Sequence, residues 1–390
     1  MNLVQEEPDS TRLGTDERFV VTCYGDTDPV HASYAVTGLI ELANRGEIEL
    51  DFRVHDRELT GVRSPWALWL KVAHRDGTWP IAVDCHDLTT HFCPAALAAC
   101  RYYFKSNFNQ ESYAAAGAEY RARVRPFGPY LPCRPARDRG LWKRWFGNLR
   151  VKFVHRFVHA GSKRSTIGKA RIFLQQFTRH KRYLSRKIWN EYESPPVELP
   201  TEGPLVVFNP SCWDEAEHPS IRPLNEFRAR LIVRLRELFG PRFAGGFRRY
   251  GPAWSQYPEA AEERTISHDE YVRLLGATPL TVYVNGKFGC FSWRLAEEFA
   301  ASRCLVSEPI PNDAGFPLDT EAGVVIRQTP EEIADEVYRL AGEPDEVRAL
   351  THRSRRIQVE RLRPANRMRR LLREVRQAAL DGTIEERGRP

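Results

Sequence analysis

The segment 280–300 constrains the fold more than any other part of the sequence, because it predicts a strand, a loop and a helix in succession. Residues 280–284 form an apolar run that is typical of a buried strand. The loop after it contains Gly286 and Gly289, and Ser292 stands at the expected N-cap of a helix. The apolar residues of that helix share one face: Leu295, Ala296, Phe299 and Ala300. Free N–H groups and the positive dipole end at the helix N-terminus favour a bound phosphate.

Charged side chains lie on the other side of this predicted helix. Arg294, Glu297 and Glu298 fall away from the apolar face. The segment therefore predicts an anion site with one cation and two carboxylates beside it. The alternative is an exposed ion pair between Arg294 and Glu298, and such a pair contributes little to stability.

Length and composition indicate a globular protein of two domains. The 390 residues are enough for two cores at about 150 residues per domain. No apolar run approaches the roughly 18 residues of a membrane-spanning helix. The polar residues 1–17 lack the apolar region of a secretory signal, so we expect a cytoplasmic location.

The cysteines predict neither disulfides nor a metal centre. None of them forms a C-x-x-C pair, and in a long chain without a signal sequence we expect reduced, mostly buried thiols. A zinc site at His86, His91 and Cys93 is conceivable, but the spacing matches no standard zinc pattern. The eight positions are Cys23, Cys85, Cys93, Cys100, Cys133, Cys212, Cys290 and Cys304.

Segments typical of strands and helices alternate along the chain in two series. The first runs from an apolar strand at 19–24 to one at 102–104, and the second from 205–208 to 324–326. Between the two series, residues 191–203 contain three prolines and predict a linker. Alternating strands and helices predict parallel sheets with helices on both faces. We therefore predict an α/β protein of two Rossmann-like domains facing a cleft, with ligands at the carboxyl ends of the strands.

The predicted domain boundaries follow from this organisation. The first domain is 1–195 and includes a basic segment, 134–190. The second domain is 201–355. A basic C-terminal helix, 356–390, is expected to pack back on the first domain.

The residues from Ser292 to Val306 resemble the donor-site segment of the GT-B glycosyltransferases, in their group 1 and exostosin-like members. That family shows the pattern S-x-R-L-x-E-A-L-A-A-G-C followed by a strand. This chain has Ser292, Arg294 and Glu297 at matching positions. Glu298 and Ser302 stand where the family usually has alanine and glycine. The resemblance implies a GT-B-like arrangement of the two domains.

The resemblance also implies a nucleotide-sugar donor held by the second domain. Glu297 would accept hydrogen bonds from ribose hydroxyls. Cations and backbone N–H groups would neutralise the diphosphate, on which negative charge develops as the bond to the sugar breaks. Such enzymes typically need no metal, and we expect no cofactor. The donor-binding residues predicted on this basis are Lys287, Gly289, Ser292, Arg294 and Glu297. Arg248, after the glycines at 245 and 246, is a further donor-binding candidate, with a solvated charge pair as the alternative.

In this family the first domain usually binds the acceptor. Asp87 or His86, at the end of the strand 79–83, would act as general base on an acceptor hydroxyl. Gly25, Asp26 and Lys105 are candidate acceptor-binding residues. The structural alternatives are a capping role for Asp87 and an ordinary surface lysine at Lys105.

The positive charge is concentrated in one segment. Residues 134–187 contain seventeen Lys and Arg and one acid, Asp138, a net charge of +16, whereas the rest of the chain carries −9. Aromatic residues interleave with these cations, which suits an anionic membrane surface. A solvated face around an ordinary core is the alternative, and no motif indicates nucleic-acid binding.

We therefore predict a glycosyltransferase that moves a sugar from a nucleotide-sugar to a glycan or lipid-linked acceptor, in the biosynthesis of surface polysaccharide. It would be cytoplasmic, with a peripheral position on the inner face of the plasma membrane as a further expectation. A non-catalytic nucleotide- or glycan-binding protein of the same fold is the first alternative. A basic nucleic-acid-associated protein is the second, although we expect no nucleic-acid partner.

Overall fold

The protein is described here by a computed structural model, which covers residues 12–13, 18–24, 27–53, 66–137, 178 and 181–380. The chain divides into two compact units. Unit 1 comprises Met1–Phe127, Pro132–Trp189 and Arg363–Pro390, and unit 2 comprises Gly128–Leu131 and Asn190–Leu362. The predicted class, α/β in two units with a C-terminal helix, is confirmed.

Both units contain helices and strands. In chain order they are β1 (Phe19–Tyr24), α1 (Pro29–Asn44), β2 (Ile48–Arg53), β3 (Ala67–His74), β4 (Gly77–Asp84), α2 (Pro94–Ala99), β5 (Tyr102–Lys105), α3 (Gln110–Ala115), β6 (Val124–Pro126), β7 (Val206–Phe208), α4 (Ile221–Phe239), β8 (Phe243–Gly245), α5 (His268–Ala277), β9 (Leu280–Tyr283), α6 (Trp293–Ala300), β10 (Cys304–Ser307), β11 (Val324–Ile326), α7 (Pro330–Ala341), α8 (Pro344–Ile357) and α9 (Pro364–Leu380).

The sheet of unit 1 is mixed, so the prediction of a parallel sheet is wrong for this unit. Over the described residues its strand order is β2-β1-β3-β4-β5-β6. β3 pairs antiparallel with both β1 and β4, whereas the remaining neighbours are parallel. The physical reason is the connection between β3 and β4, in which only Arg75 and Asp76 separate the strands. Two residues close a hairpin, but a parallel pair needs a crossover of a dozen or more.

The C-terminal helix belongs to unit 1 through a buried ion pair. α9 packs along α1. On α9, the Arg369 guanidinium donates to both carboxylate oxygens of Glu47, at 2.8 and 2.7 Å. The Leu13 N–H donates to the same carboxylate at 3.1 Å. Burial alone would raise the pKa of Glu47, but Arg369 and the Leu13 N–H outweigh burial and hold the pKa below its ordinary value of 4.5.

Replacement of Glu47 by alanine is expected to destabilise unit 1 by about 3–5 kcal/mol, because it leaves a buried guanidinium without its carboxylate. The pKa of Glu47 is depressed in the folded state, so its contribution is present above pH 4.5 and is lost as the pH falls through the folded value. Urea unfolding at pH 7 and at lower pH measures both effects, and the variant should lack this acid-sensitive component.

Glu49→Ala is the matched control for this experiment. Glu49 lies on β2 and forms an exposed ion pair with Arg18, with side chains 55% and 64% exposed. Such a pair contributes about 0–1 kcal/mol. Equal losses in the two variants would contradict the assigned role of the Glu47–Arg369 pair.

The sheet of unit 2 is parallel throughout and has the order β11-β10-β9-β7-β8 among the described strands. The first strand of this unit, β7, lies in the interior with β8 on one side and β9 on the other. The order of connections therefore reverses between β7 and β9. In open α/β sheets a ligand binds outside the carboxyl ends of the strands at such a switch point.

Local sequence signals explain where the helices of unit 2 begin. The Ser267 hydroxyl accepts from the Glu270 N–H, and the Thr329 hydroxyl accepts from the Glu332 N–H, each at 3.1 Å. Around Thr329 the full capping box forms, because the Glu332 carboxylate accepts in return from the Thr329 N–H at 3.2 Å. Serine and threonine are preferred N-cap residues, so both helix starts follow from the local sequence.

All eight cysteines lie in described parts of the chain, and each is buried. Burial raises the pKa of Cys212 to about 11 and raises that of Cys304 above its ordinary range. The thiols of Cys212 and Cys304 are therefore protonated at neutral pH, and buried cysteines act as small apolar core residues.

Candidate functional site

Arg228 joins the two strand ends at the switch point of unit 2. It lies on α4 and is 4% exposed. Its guanidinium donates to the Ser211 carbonyl after β7 at 2.9 Å and to the Asn285 carbonyl after β9 at 2.6 Å. Burial lowers the pKa of Arg228 to about 10, so the side chain stays charged at neutral pH. Arg228 therefore fixes the two loops that border the switch point and adds a buried positive charge there.

The position of Arg228 on α4 indicates a functional role, although a search for an amphipathic repeat considers only the apolar residues. The apolar repeat of α4 predicts an inner face, and the structure buries two of its residues, Leu231 and Leu235, but leaves Phe227 and Leu238 only partly buried. The buried stripe also contains two polar side chains, Asn225 and Arg228, in helical register with Ile232. Polar residues on the inner stripe of an amphipathic helix mark a site that needs them, because burial without partners is costly.

Arg248 lies beyond the end of β8, next to the loop after β7. Ser211 and Arg248 form a parallel bridge, and the Arg248 guanidinium donates to the Ser211 hydroxyl. Its Nε is buried and has no partner among the described residues. Burial, together with the charge of Arg294, lowers the pKa of Arg248 to about 10. Arg248 is thus a charged group beside the switch point with donor capacity left over.

Gly245 is required because two backbones meet closely at the end of β8. A Cβ at this position would lie 1.9 Å from the carbonyl oxygen of Phe208 on β7. Its φ of +157° also lies in a region that side chains rarely adopt. The glycine therefore lets β7 and β8 end side by side, which brings Arg248 to Ser211.

The loop between β9 and α6 is folded by its own backbone. The Gly286 N–H donates to the Cys290 carbonyl at 2.7 Å, and the Gly289 carbonyl accepts from the Asn312 amide at 2.7 Å. Phe288 and Gly289 both have positive φ, 60° and 70°. Gly289 adopts this conformation without steric cost, whereas Phe288 is strained there. Strain of this kind is typical of binding loops.

Ser292 occupies the N-cap position of α6 but does not cap the helix, so this part of the prediction is wrong. Its side chain makes no cap hydrogen bond. Its N–H instead donates to the Tyr283 hydroxyl at 3.1 Å, which fixes the entry of the chain into the helix. The Ser292 hydroxyl is buried and without a hydrogen-bond partner in the described part of the chain. It therefore keeps its hydrogen-bonding capacity at the start of α6.

Arg294 stacks on an aromatic ring instead of forming the exposed pair that is the alternative interpretation. Its guanidinium carbon lies 4.1 Å from the centre of the Tyr271 ring. Its Nη1 is buried without a partner within the described ranges. Burial would lower the pKa of Arg294, but Tyr271, Glu297 and Glu298 outweigh burial and raise it. The side chain is therefore a fixed, planar cation with a donor still available.

Glu297 is held by a residue that the sequence pattern did not select. The His268 ring nitrogen Nε2 lies 2.9 Å from the Glu297 Oε1. Burial would raise the pKa of Glu297, but His268, Arg294 and Arg248 outweigh burial and lower it. Glu297 is thus a carboxylate at neutral pH. His268 begins α5, and it comes directly after the N-cap residue Ser267.

Glu298 is buried, although helical spacing placed it on the polar face. It is 2% exposed, and its Oε1 accepts from the Thr281 hydroxyl of β9 at 3.2 Å. Its Oε2 has no partner among the residues described. Burial raises the pKa of Glu298 well above its ordinary value of 4.5, and the charge of Arg294 opposes this shift. The pKa values of the two neighbouring glutamates are therefore shifted in opposite directions.

Lys287 is engaged by an acidic turn that follows β7. Its ammonium group forms an ion pair with Glu217, which lies in a short 3₁₀ turn, Glu215–Glu217. The same ammonium lies 4.0 Å from the centre of the Trp213 ring. The Phe288 ring contacts the His218 ring edge-on, with centroids 5.0 Å apart. The loop after β7 thus packs against the loop after β9.

Ser302 stands where glycine is usual in the resembled family, and the backbone shows why. Its φ is 60°, a conformation that favours glycine. The Ser302 hydroxyl donates to the Ser194 carbonyl at 2.8 Å, which offsets part of the conformational cost. Ser302 therefore adopts a backbone conformation that glycine adopts without strain.

Lys105 of unit 1 is buried in a charged cluster. The side chain is fully buried, and its ammonium donates to the Asp84 carboxylate at 3.2 Å and to the His91 carbonyl at 2.8 Å. Asp84 also accepts from the Tyr103 hydroxyl at 2.5 Å. Contact of Lys105 with an acceptor would require this cluster to open, and that role stays a prediction.

His86 lies at the carboxyl end of β4 in a group of rings. It stacks on His91 with ring centroids 4.2 Å apart. The Trp66 ring contacts the His86 ring edge-on, with centroids 5.4 Å apart. Burial and the charge of His91 lower the pKa of His86 to about 4, so its ring is neutral at pH 7. Its Nδ1 accepts from the Leu88 N–H at 3.0 Å. The base role of His86 stays a prediction, as does that of the neighbouring, exposed Asp87.

Some predicted features lie outside the described residues. These are the candidate acceptor residues Gly25 and Asp26 and most of the basic segment 134–190. Within the described ranges, no three His, Cys, Asp or Glu side chains are grouped as a metal site would require. Over the same ranges no helix has the length and apolar character needed to cross a membrane.

Solved structures similar to this chain include several glycosyltransferases. A glycosyltransferase from Rickettsia africae ESF-5 is 8% identical with a TM-score of 0.39, and the match covers 72% of this chain. This chain spans only 64% of the length of that protein. Anabaena Alr3699/HepE in complex with UDP is 9% identical, with a TM-score of 0.37 and coverage of 89% of this chain and 77% of the other. The calicheamicin glycosyltransferase CalG4 is 14% identical, with a TM-score of 0.34 and coverage of 90% and 95%.

Comparison of sequences identifies a family for the part of the chain that contains the site. No curated protein sequence matches the chain. A family model described as "Glycosyl transferase-like" matches residues 228–373. The match begins at Arg228 and includes Arg248, Arg294 and Glu297. It confirms the resemblance to glycosyltransferases, and residues 228–373 therefore form a glycosyl transferase-like region.

Proposed function

We propose that the protein is a glycosyltransferase whose unit 2 binds a nucleotide-sugar at the carboxyl edge of its parallel sheet. The observation that carries the proposal is the group of three arginines, Arg228, Arg248 and Arg294, around the switch point between β7 and β9. Each has a buried nitrogen without a hydrogen-bond partner in the described part of the protein.

Electrostatics favour an anion between these side chains. Burial lowers the pKa of both Arg228 and Arg248, and the charge of Arg294 lowers it further, so Arg294 repels each of the other two cations. Burial raises the pKa of the nearby Glu298, which disfavours its charged form, and the Glu297 carboxylate is engaged by His268. A diphosphate supplies negative charge and acceptor oxygens to Arg248 and Arg294, which are the most suitable donors for phosphate.

The remaining groups suit the other parts of a nucleotide-sugar. Glu297 accepts hydrogen bonds from ribose hydroxyls, and the Ser292 hydroxyl and the N-terminus of α6 donate to phosphate oxygens. As the bond to the sugar breaks, the arginines stabilise the negative charge on the leaving diphosphate. Lys287 adds a cation when phosphate oxygens replace Glu217. Fixed cations provide this stabilisation without a metal or other cofactor.

The acceptor belongs to unit 1 in this proposal. His86 or Asp87 removes the proton of an acceptor hydroxyl, and the acceptor is a glycan or a lipid-linked glycan of surface polysaccharide. The concentration of cations in residues 134–187 supports an anionic membrane surface as a partner. We accordingly propose a cytoplasmic enzyme that is peripheral on the inner face of the plasma membrane, with no nucleic-acid partner.

Release of nucleoside diphosphate from a panel of nucleotide-sugars, with and without glycan acceptors, tests the proposed activity. We expect turnover of at least one donor, and a loss of about 100-fold in kcat/KM for Glu297→Ala if its ribose contacts contribute about 2–3 kcal/mol. Glu331→Ala is the control, because Glu331 pairs with Arg230 on an exposed helical surface. Stabilisation by nucleotide without turnover of any donor would favour the non-catalytic binding protein instead.

A further inference from the structure

His268 and Glu297 form a pair whose two members differ in exposure. His268 is the first residue of α5, and Glu297 lies on α6. Nε2 of the histidine lies 2.9 Å from Oε1 of the glutamate. The His268 side chain is 41% exposed, but that of Glu297 is only 10% exposed. The histidine therefore holds one oxygen of a nearly buried carboxylate from the solvent side.

Glu297 has two other groups within electrostatic reach that would bind it more strongly. Arg248 and Arg294 both lower its pKa. Arginine and carboxylate form bidentate pairs, which are among the strongest hydrogen bonds in proteins. Even so, Arg248 Nε and Arg294 Nη1 are buried and lack a partner over the described residues. The arginines and the carboxylate thus lie near one another without neutralising each other.

Neighbouring contacts restrict what else these groups do. The Arg294 guanidinium is held against the Tyr271 ring, and one Arg248 nitrogen is committed to the Ser211 hydroxyl. The Tyr192 and His268 rings are in edge contact, with their centroids 5.8 Å apart. His268 contacts the Glu297 carboxylate directly, through its Nε2.

We propose that His268 is a positioning residue that keeps the Glu297 carboxylate from pairing with Arg248 and Arg294. The arginines then stay available to a diphosphate, and the second oxygen of Glu297 stays available to a ribose hydroxyl. Without His268, the carboxylate turns to the arginines and competes with the phosphate groups. This inference rests on the proposed function, because it concerns the same nucleotide site.

Inorganic pyrophosphate separates this role from direct contact with a nucleotide, since it has phosphate groups but no ribose. We expect His268→Ala in the full-length protein to weaken pyrophosphate binding about tenfold in calorimetric titration. In a Glu297→Ala background the same histidine change should have no effect, because the competing carboxylate is gone. His268→Gln should retain most of the affinity, since its neutral amide also donates to the carboxylate. His352→Ala, at an exposed position on α8, is the control.

The outcomes distinguish the two claims. If the wild type binds pyrophosphate and His268→Ala binds it equally well, the positioning role is wrong while the proposed function stands. The role is also wrong if the loss persists in the Glu297→Ala background. If the wild type binds neither pyrophosphate nor any nucleoside diphosphate, the proposed function fails and this inference fails with it. Melting temperatures of the unliganded variants check that each one is folded.

Discussion

Replacement of Arg294 by alanine is expected to weaken binding of a nucleoside diphosphate about 100-fold. The guanidinium is held in place by the Tyr271 ring, 4.1 Å away, and its Nη1 is buried without a partner among the described residues. A charge-assisted hydrogen bond contributes about 1.5–3 kcal/mol, and 1.4 kcal/mol corresponds to a tenfold change in affinity. Calorimetric titration of the full-length protein measures the loss.

Two further variants show whether geometry or charge is responsible. Arg294→Lys keeps the charge but loses the planar fork and the stacking on Tyr271, so it should recover only a small part of the affinity. Arg230→Ala removes an arginine that pairs with Glu331 at 2.8 Å and is 64% exposed. It should leave binding unchanged. Equal affinities for Arg294→Ala and Arg230→Ala would contradict the assignment of Arg294 to the phosphate site.

The second large effect is expected for Gly245→Ala, which should destabilise unit 2 on the order of 3 kcal/mol or more. The new Cβ would meet the Phe208 carbonyl oxygen at 1.9 Å, and backbone atoms of a paired strand have little freedom to move away. Separation of β7 from β8 would also displace Arg248 from Ser211. Thermal unfolding followed by circular dichroism measures the loss of stability.

Gly203→Ala controls for backbone conformation alone. Gly203 has a φ of +81°, but no atom lies within 4 Å of the position that a Cβ would take. This variant has the conformational strain without the collision, so its loss should be about 1 kcal/mol. If the two variants lose equal stability, the close approach of β7 and β8 at Gly245 is not what requires glycine.

Local sequence patterns were enough to predict the strand, loop and helix of the site. The apolar run before Gly286 is β9, and the predicted apolar face of α6, which includes Leu295 and Phe299, is buried. These features depend on neighbouring residues, so spacing along the chain reveals them. Spacing did not predict the role of Ser292, which was expected to cap α6 with its side chain. Its N–H instead donates to the hydroxyl of Tyr283 on the preceding strand.

The groups that complete the site come from distant positions in the chain. Arg228 is separated by 57 residues from the Asn285 carbonyl that it holds, and His268 by 29 residues from Glu297. Spacing does not reveal such pairs, since they exist only after the strands have taken their order in the sheet. The sequence does contain one indication of such distant pairs. A polar residue in helical register with apolar residues, such as Arg228 with Ile232 on α4, indicates a buried polar group that needs partners.

The mixed sheet of unit 1 illustrates a different limit. Alternation of strands and helices over the whole unit favours a parallel sheet, but the short connection at Arg75 and Asp76 imposes a hairpin. A local constraint of chain length therefore overrides the average pattern.

Calorimetric titration of the full-length wild-type protein with a panel of nucleoside diphosphates tests whether unit 2 holds a nucleotide site. We expect at least one of them to bind at a single site per chain, because Arg228, Arg248 and Arg294 lie around one switch point of the sheet in unit 2. Absence of binding by every member of the panel at millimolar concentration would contradict it.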